Sequence, residues 1–144
     1  LDREIWWSIR DWKNLRGKPT YTEKKDLGFR VADDFHVYGI EWNEKGVKYY
    51  IDGQLLSQVT AEQVNDWARK NREVSDDYNG YVATTPINLW LDQEVFPWVG
   101  YPKSKAELEV NSPEGKKDDG VVDFEIEYVR VWQKAEDITQ SNVK

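Results

Sequence analysis

The hydrophobic positions of this chain fall in short runs at strand spacing, separated by turn-rich polar stretches. Residues 5–9 (Ile5, Trp6, Trp7, Ser8, Ile9) are β-branched and aromatic and predict a strand. The signal fades over residues 11–20, where Gly17, Pro19 and mixed charges predict a loop. Residues 35–42 predict a second, stronger strand and residues 47–51 a third. Asp52-Gly53 follows, and then another extended run over residues 54–59. Asp-Gly between two such runs predicts a two-residue hairpin, because both positions tolerate positive φ. Residues 87–91 predict a further strand, with Pro86 at its start. The last strand covers residues 121–132. On it Phe124, Ile126, Tyr128, Arg130 and Trp132 share one face, and Asp123, Glu125 and Glu127 share the other with Val129 and Val131.

Two stretches break this rhythm. Thr60 followed three residues later by Gln63 is a capping box, and residues 61–74 then carry Val64 and Trp67 at helical spacing. Ser104 with Glu107 is a second box that would open one or two helical turns. Residues 75–80, 96–102 and 111–120 predict loops. The predicted class is therefore all-β, with one or two short helices in loops. Long connections between strands favour a jelly-roll β-sandwich of two antiparallel sheets over a meander. Six or so strands make a thin sandwich with open edges, so it is expected to be incomplete and to need a partner.

The length of 144 residues suits one domain, placed at residues 1–133 and followed by a polar tail over 134–144. No apolar run approaches the ~20 residues that span a bilayer. Residues 1–13 mix charges with tryptophans and do not read as a signal peptide. The first residue is not Met, which reads as a processed or trimmed chain. The absence of cysteine removes disulfides, thiolate metal sites and Cys nucleophiles together. The net charge of −7 argues against nucleic-acid and anionic-membrane partners. Eight Trp and eight Tyr are many for so polar a chain. They serve either an aromatic β core or the stacking of sugar rings, whose C–H faces suit a flat indole.

Candidate chemistry is sparse. The one histidine, His36, lies beside Phe35 with no nucleophile near it in sequence and reads as structural. Retaining glycoside hydrolysis needs two carboxyls roughly 5–5.5 Å apart. Asp123, Glu125 and Glu127 have the right period, yet they read better as a solvated strand face or a cation site. Calcium accepts several carboxylate oxygens, which makes Glu127 or Asp123 a candidate ligand of a structural calcium. No other cofactor is required.

Three segments together resemble glycoside hydrolase family 16. Residues 34–42, from Asp34 to Trp42, running on to Tyr50-Ile51-Asp52-Gly53, look like the family's paired strands ending in a Tyr-x-Asp-Gly hairpin. Ile87-Asn88-Leu89-Trp90 is similar to its cleft strand. Glu127-Tyr128-Val129-Arg130-Val131-Trp132 resembles its closing strand, where the family more often has Asp at the position of Glu127. The match covers roughly residues 34–133, and residues 1–33 fit less tightly. Ile9-Arg10-Asp11, Leu91-Asp92-Gln93 and Phe96-Pro97-Trp98 look like the agarase and porphyranase branch.

The resemblance implies a curved sandwich whose groove holds a β-linked polysaccharide, with endo-acting, retaining hydrolysis by two Glu in Glu-x-Asp-x-x-Glu. No Glu in this sequence is followed two residues later by Asp. The motif is expected on polypeptide ahead of these segments, and the chain alone is expected to be inactive. By position, Asn88, Trp90 and Asp92 would face the groove, with Trp90 stacking a sugar unless it is a core indole. Gln93 and Trp98 follow in the loop beyond. Trp6, Trp7 and Arg10 come from a plausible groove strand, their orientation open. Arg10 would suit the sulfate of a sulfated galactan.

The expected function is thus part of a secreted, periplasmic or cell-surface galactan hydrolase of agar or porphyran type. Its partners would be the polysaccharide and either the remaining part of the domain or a second copy. A non-catalytic polysaccharide-binding module is the alternative from another class. An unrelated β-protein that uses its aromatics for protein contacts is the third reading.

Overall fold

The structure, a computed structural model, describes residues 3–81, 88–92, 104 and 124–135. The chain forms two compact units, Leu1–Leu89 and Trp90–Lys144. The first contains β1 (Glu4–Arg10), α1 (Trp12–Leu15), β2 (Pro19–Asp26), β3 (Tyr38–Asn43), β4 (Gly46–Ile51), β5 (Gln54–Thr60) and α2 (Ala61–Asn71). These strands make two antiparallel sheets, one of β1 and β2 and one in the order β3-β4-β5. Two antiparallel sheets with short helices are the all-β arrangement the hydrophobic pattern predicts, and they are consistent with part of a jelly roll.

Strand parity explains the core. Trp7 and Ile9 point from β1 to the side opposite Trp6 and Ser8, and lie across from Glu23 and Tyr21 of β2. Trp7 stacks on Tyr49 of β4 with ring centroids 5.1 Å apart. Ile9 and Tyr21 meet the cluster of Val47, Val59 and Val64. Helix α2 closes this core with Val64 and Ala68, one turn apart and fully buried. Trp67 on the same helix meets Tyr21 edge-on at 6.3 Å.

The two local signals are both present. Asp52 and Gly53 adopt φ of 50° and 77°, the twist a tight hairpin between β4 and β5 requires. At α2 the Gln63 N–H donates to the Thr60 hydroxyl at 3.1 Å, and the Thr60 N–H donates to Gln63 Oε1 at 2.8 Å. Thr60→Ala is expected to cost about 1 kcal/mol, read as a shift in the urea midpoint at unchanged slope.

Several boundaries differ from the sequence expectation. The strand predicted from residue 35 begins at Tyr38. Asp52 causes this: its carboxylate accepts the Val37 N–H at 2.9 Å and bonds the His36 ring at 2.7 Å, drawing residues 36 and 37 onto the turn. His36 also tilts over Phe29, with centroids 4.9 Å apart, a structural role. Helix α2 ends at Asn71 rather than at 74, because Arg72 turns to extended backbone and its N–H closes the helix on the Ala68 carbonyl. The expected loop over 11–20 holds a helical turn, α1, capped by Asp11, and the start of β2.

The strands predicted over 87–91 and 121–132 are not formed where they are described. Residues 88–92 and 124–132 are exposed and carry no ladder. A strand exists only through a neighbour about 4.8 Å away, and no such neighbour flanks them among the described residues. Ile87, residues 121–123, the predicted loops at 96–102 and 111–120, Glu107 and all of the tail beyond Ala135 lie outside the described residues.

The Asp52 clamp makes a prediction. The Val37 N–H, and then the His36 ring, hold this carboxyl below its ordinary value. A depressed folded pKa contributes stability that is complete above the unfolded value of about 4 and is lost as pH falls through the folded value. Asp52→Asn is expected to flatten that part of the acid limb, measured as denaturation midpoint against pH.

Candidate functional site

The outward face of the β1–β2 pair is built by the residues that strand parity turns away from the core. Opposite one another stand Glu4 and Asp26, Trp6 and Lys24, and Ser8 and Thr22; beyond them the register shifts between Ile9 and Arg10. Directly opposed residues of an antiparallel pair project to the same side, so these form one surface. Trp6 is 55% exposed, an indole that costs free energy to leave in water unless something covers it.

The indole is fixed rather than loose. Its Nε1 donates to Glu4 Oε2 at 3.1 Å, and Lys24 Nζ donates to the other oxygen of Glu4 at 3.2 Å. The same ammonium lies 5.5 Å from the Trp6 ring centroid. The bond from Trp6, followed by that from Lys24, holds the Glu4 carboxyl below its ordinary value. Beside the indole, the Ser8 and Thr22 hydroxyls share a 3.2 Å hydrogen bond. Arg10 ends the row, its Nη1 donating to the Gly17 carbonyl at 2.8 Å. The face thus offers a flat apolar plate bordered by a carboxylate, an ammonium and two hydroxyls. That combination can stack the C–H face of a sugar while exchanging hydrogen bonds with its hydroxyls.

The other candidates are distributed differently. Trp7 is 7% exposed and belongs to the core against Tyr49, so the neighbouring tryptophans have opposite fates. Asn88, Trp90 and Asp92 are exposed in a stretch without ladder bonds, Trp90 at 80%. Asn88 lies in the first compact unit, Trp90 and Asp92 in the second. Gln93 and Trp98 lie outside the described residues. Glu127 is exposed, and among the described residues no three His, Asp or Glu gather as a cation would require. Sequence reasoning missed β2, and with it Thr22 and Lys24. The available signal was Thr20-Tyr21-Thr22 just after Pro19, β-formers behind a residue suited to a strand start.

The profile of Glycosyl hydrolases family 16 matches residues 13–100, more than half of the chain. The chain belongs to glycosyl hydrolase family 16. The match starts well before residue 34 and so takes in α1 and β2. The beta-glucanase of Bacillus subtilis (strain 168) is 30% identical over 79 residues, covering 52% of this chain and 25% of that protein. The beta-glucanase of Bacillus amyloliquefaciens is 30% identical over 96 residues, covering 60% of this chain and 37% of its own length. Beta-porphyranase B of Zobellia galactanivorans is 35% identical over 57 residues, covering 39% of this chain and 20% of that protein. The chain therefore spans only about a quarter to two fifths of these glucanases' length. No solved structure matches the chain.

Proposed function

We propose that these residues form the substrate-holding part of a retaining, endo-acting family 16 glycoside hydrolase that works on β-linked polysaccharide outside the cytoplasm. The observation that carries this reading is the exposed Trp6 plate, fixed by Glu4 and Lys24 on a strand face lined with hydroxyls. The catalytic carboxylates are supplied by polypeptide outside the 144 residues, since no Glu-x-Asp pair occurs among them. A galactan of agar or porphyran type is the proposed substrate, supported by the similarity to a beta-porphyranase and by the cationic Arg10 at the end of the row. No helix among the described residues is long and apolar enough to cross a membrane. Trp90, Asn88 and Asp92 are proposed to contact the same polymer.

A second reading, a β-glucan substrate, is favoured by the similarity to the two Bacillus beta-glucanases. Electrophoresis through gels containing agar, porphyran or mixed-linkage β-glucan separates the two. The galactan gels are expected to retard the protein, and the β-glucan gel is not. Trp6→Ala is expected to weaken the retardation about thirtyfold, the effect of roughly 2 kcal/mol at the centre of a binding face. Unchanged mobility of the variant removes Trp6 from the face, and retardation by β-glucan alone transfers the reading to glucans. In parallel, no reducing ends are expected from the 144 residues alone. Their release would instead identify a carboxylate pair within the chain.

A further inference from the structure

Of the polar groups on the Trp6 face, one pair keeps both a donor and an acceptor beside the indole. The Thr22 hydroxyl donates to the Trp7 carbonyl at 3.3 Å, so across their 3.2 Å bond the Ser8 hydroxyl donates to Thr22. Neither retains a proton to offer, and both can only accept. Asp26 accepts the Gly28 N–H at 2.7 Å and pairs with Arg3 at 3.4 Å. It stands opposite Glu4, two residues along β2 from Lys24. Glu4 and Lys24 differ from these. A carboxylate has about four acceptor positions and an ammonium three donors. Among the described residues, Glu4 accepts from Trp6 Nε1 at 3.1 Å and from Lys24 Nζ at 3.2 Å, and Lys24 gives that one bond. Spare acceptors and spare donors therefore lie side by side at the edge of the plate.

A hydroxyl both donates and accepts, so it uses such a pair in full. A sulfate ester offers acceptors alone and uses only half of it. The placement suits a ligand on the indole. Lys24 Nζ is 5.5 Å from the Trp6 ring centroid. A sugar ring in contact lies roughly 4 Å above the indole, nearer than the ammonium, which then meets the hydroxyls at the rim of the sugar. The charges around the plate cancel, Glu4 against Lys24 and Asp26 against Arg3. Glu4 stays ionised, because the bond from Trp6 and then that from Lys24 hold its carboxyl below its ordinary value. An anionic substituent over the plate would meet this fixed negative charge and find Lys24 already paired.

We infer that Glu4 and Lys24 are the specificity pair of this platform: they read free hydroxyls on the sugar unit stacked over Trp6 and reject a sulfated unit there. The inference rests on the reading of the β1–β2 face as the polymer's platform. Lys24 donates to a hydroxyl, and Glu4 accepts from that hydroxyl or from one beside it. Bonds to charged partners are stronger than those between neutral groups, so the pair outweighs Ser8 and Thr22 in the choice of unit. The rule concerns the unit on Trp6 alone. A partly sulfated galactan is accepted in the register that lays an unsulfated unit on the indole.

The test is calorimetric titration of the protein with a neutral agar-type oligosaccharide and with the same oligosaccharide chemically sulfated throughout. Physiological ionic strength screens charges beyond roughly 8 Å and leaves the local contact. The neutral form is expected to bind about fivefold more tightly, the size of one like-charge contact near water. Glu4→Gln keeps an acceptor for the Trp6 N–H and removes the charge. It is expected to weaken binding of the neutral form and to erase the preference. Lys24→Met keeps the stem of the side chain, and it is expected to weaken the neutral form while widening the preference. Opposite shifts in preference from two adjoining residues separate recognition from a general loss of folding. Glu44→Gln removes the same charge from the exposed turn between β3 and β4 and is expected to leave the preference as it was. A preference that survives Glu4→Gln, or that Glu44→Gln erases as well, overturns the pair. So does a native protein that binds the sulfated form as tightly as the neutral one. In each of these cases the platform stands if Trp6→Ala still weakens binding of both forms. If the native protein binds neither form, the platform itself is overturned, and the pair with it.

Discussion

Trp7→Ala is expected to remove about 3–5 kcal/mol of folding stability, enough to unfold much of a thin sandwich at room temperature. Trp7 is 7% exposed and bridges the two sheets through its stack on Tyr49. Deleting the indole leaves a cavity that five strands cannot collapse around. The site also contains its own control. The Trp7 Nε1 is buried without a hydrogen-bond partner among the described residues. Trp7→Phe discards that unpaired N–H while keeping a ring over Tyr49, so it is expected to cost far less than alanine. Urea unfolding followed by far-ultraviolet circular dichroism, which does not depend on the deleted fluorophore, measures both.

Asp11→Ala is expected to cost roughly 3 kcal/mol, through unmet hydrogen bonds rather than lost volume. Asp11 is 3% exposed. Its carboxylate accepts the Tyr78 hydroxyl at 2.6 Å, the Asn14 N–H at 2.8 Å and Asn14 Nδ2 at 2.7 Å. Alanine strands all of these donors at once. Space beside the pair is taken, because a Cβ at Gly80 would fall 2.6 Å from Asp11 Oδ2. Burial raises the carboxyl's pKa, but the bonds from Tyr78 and Asn14 outweigh burial and hold it below its ordinary value. Burial, and then the carboxylate, push the Tyr78 hydroxyl well above its own. The Asp11 contribution is therefore complete above about pH 4 and fades as pH falls through the folded value. Asp11→Ala is expected to lower the midpoint most at neutral pH and to converge on the parent in acid.

The features legible in the sequence are those whose cause lies within a few residues. Asp52-Gly53 specifies its turn by backbone preference, and Thr60 with Gln63 caps α2 by bonds three residues apart. What was hidden depends on partners far along the chain. β2 escaped because its core-facing positions are Tyr21, Glu23 and Lys25, which do not look apolar. Glu23 is accommodated there by hydrogen bonds from Ser57 and Tyr21, at 2.7 and 3.0 Å. Trp6 and Trp7 could not be told apart for a related reason. Parity says that they face opposite ways, but only the pairing of β1 with β2 and the stack on Tyr49 say which way is in. The bond between Asp11 and Tyr78 joins positions 67 apart in sequence, and no local pattern announces it. The residues around 88–92 and 124–132 teach the converse. Their alternation is that of strands, yet alternation without a neighbour makes no ladder.

Whether the outward face of β1 and β2 carries the polysaccharide is tested at the residue concerned by oxidation of tryptophan. Trp6 and Trp12 are both open to a small oxidant, at 55% and 75% exposure. Peptide mapping by mass spectrometry after brief N-bromosuccinimide treatment, with and without saturating galactan oligosaccharide, reports each separately. The sugar is expected to protect Trp6 and to leave Trp12 reacting as before. Oxidation of Trp6 at the same rate with bound sugar as without it would place the polysaccharide elsewhere than on this face.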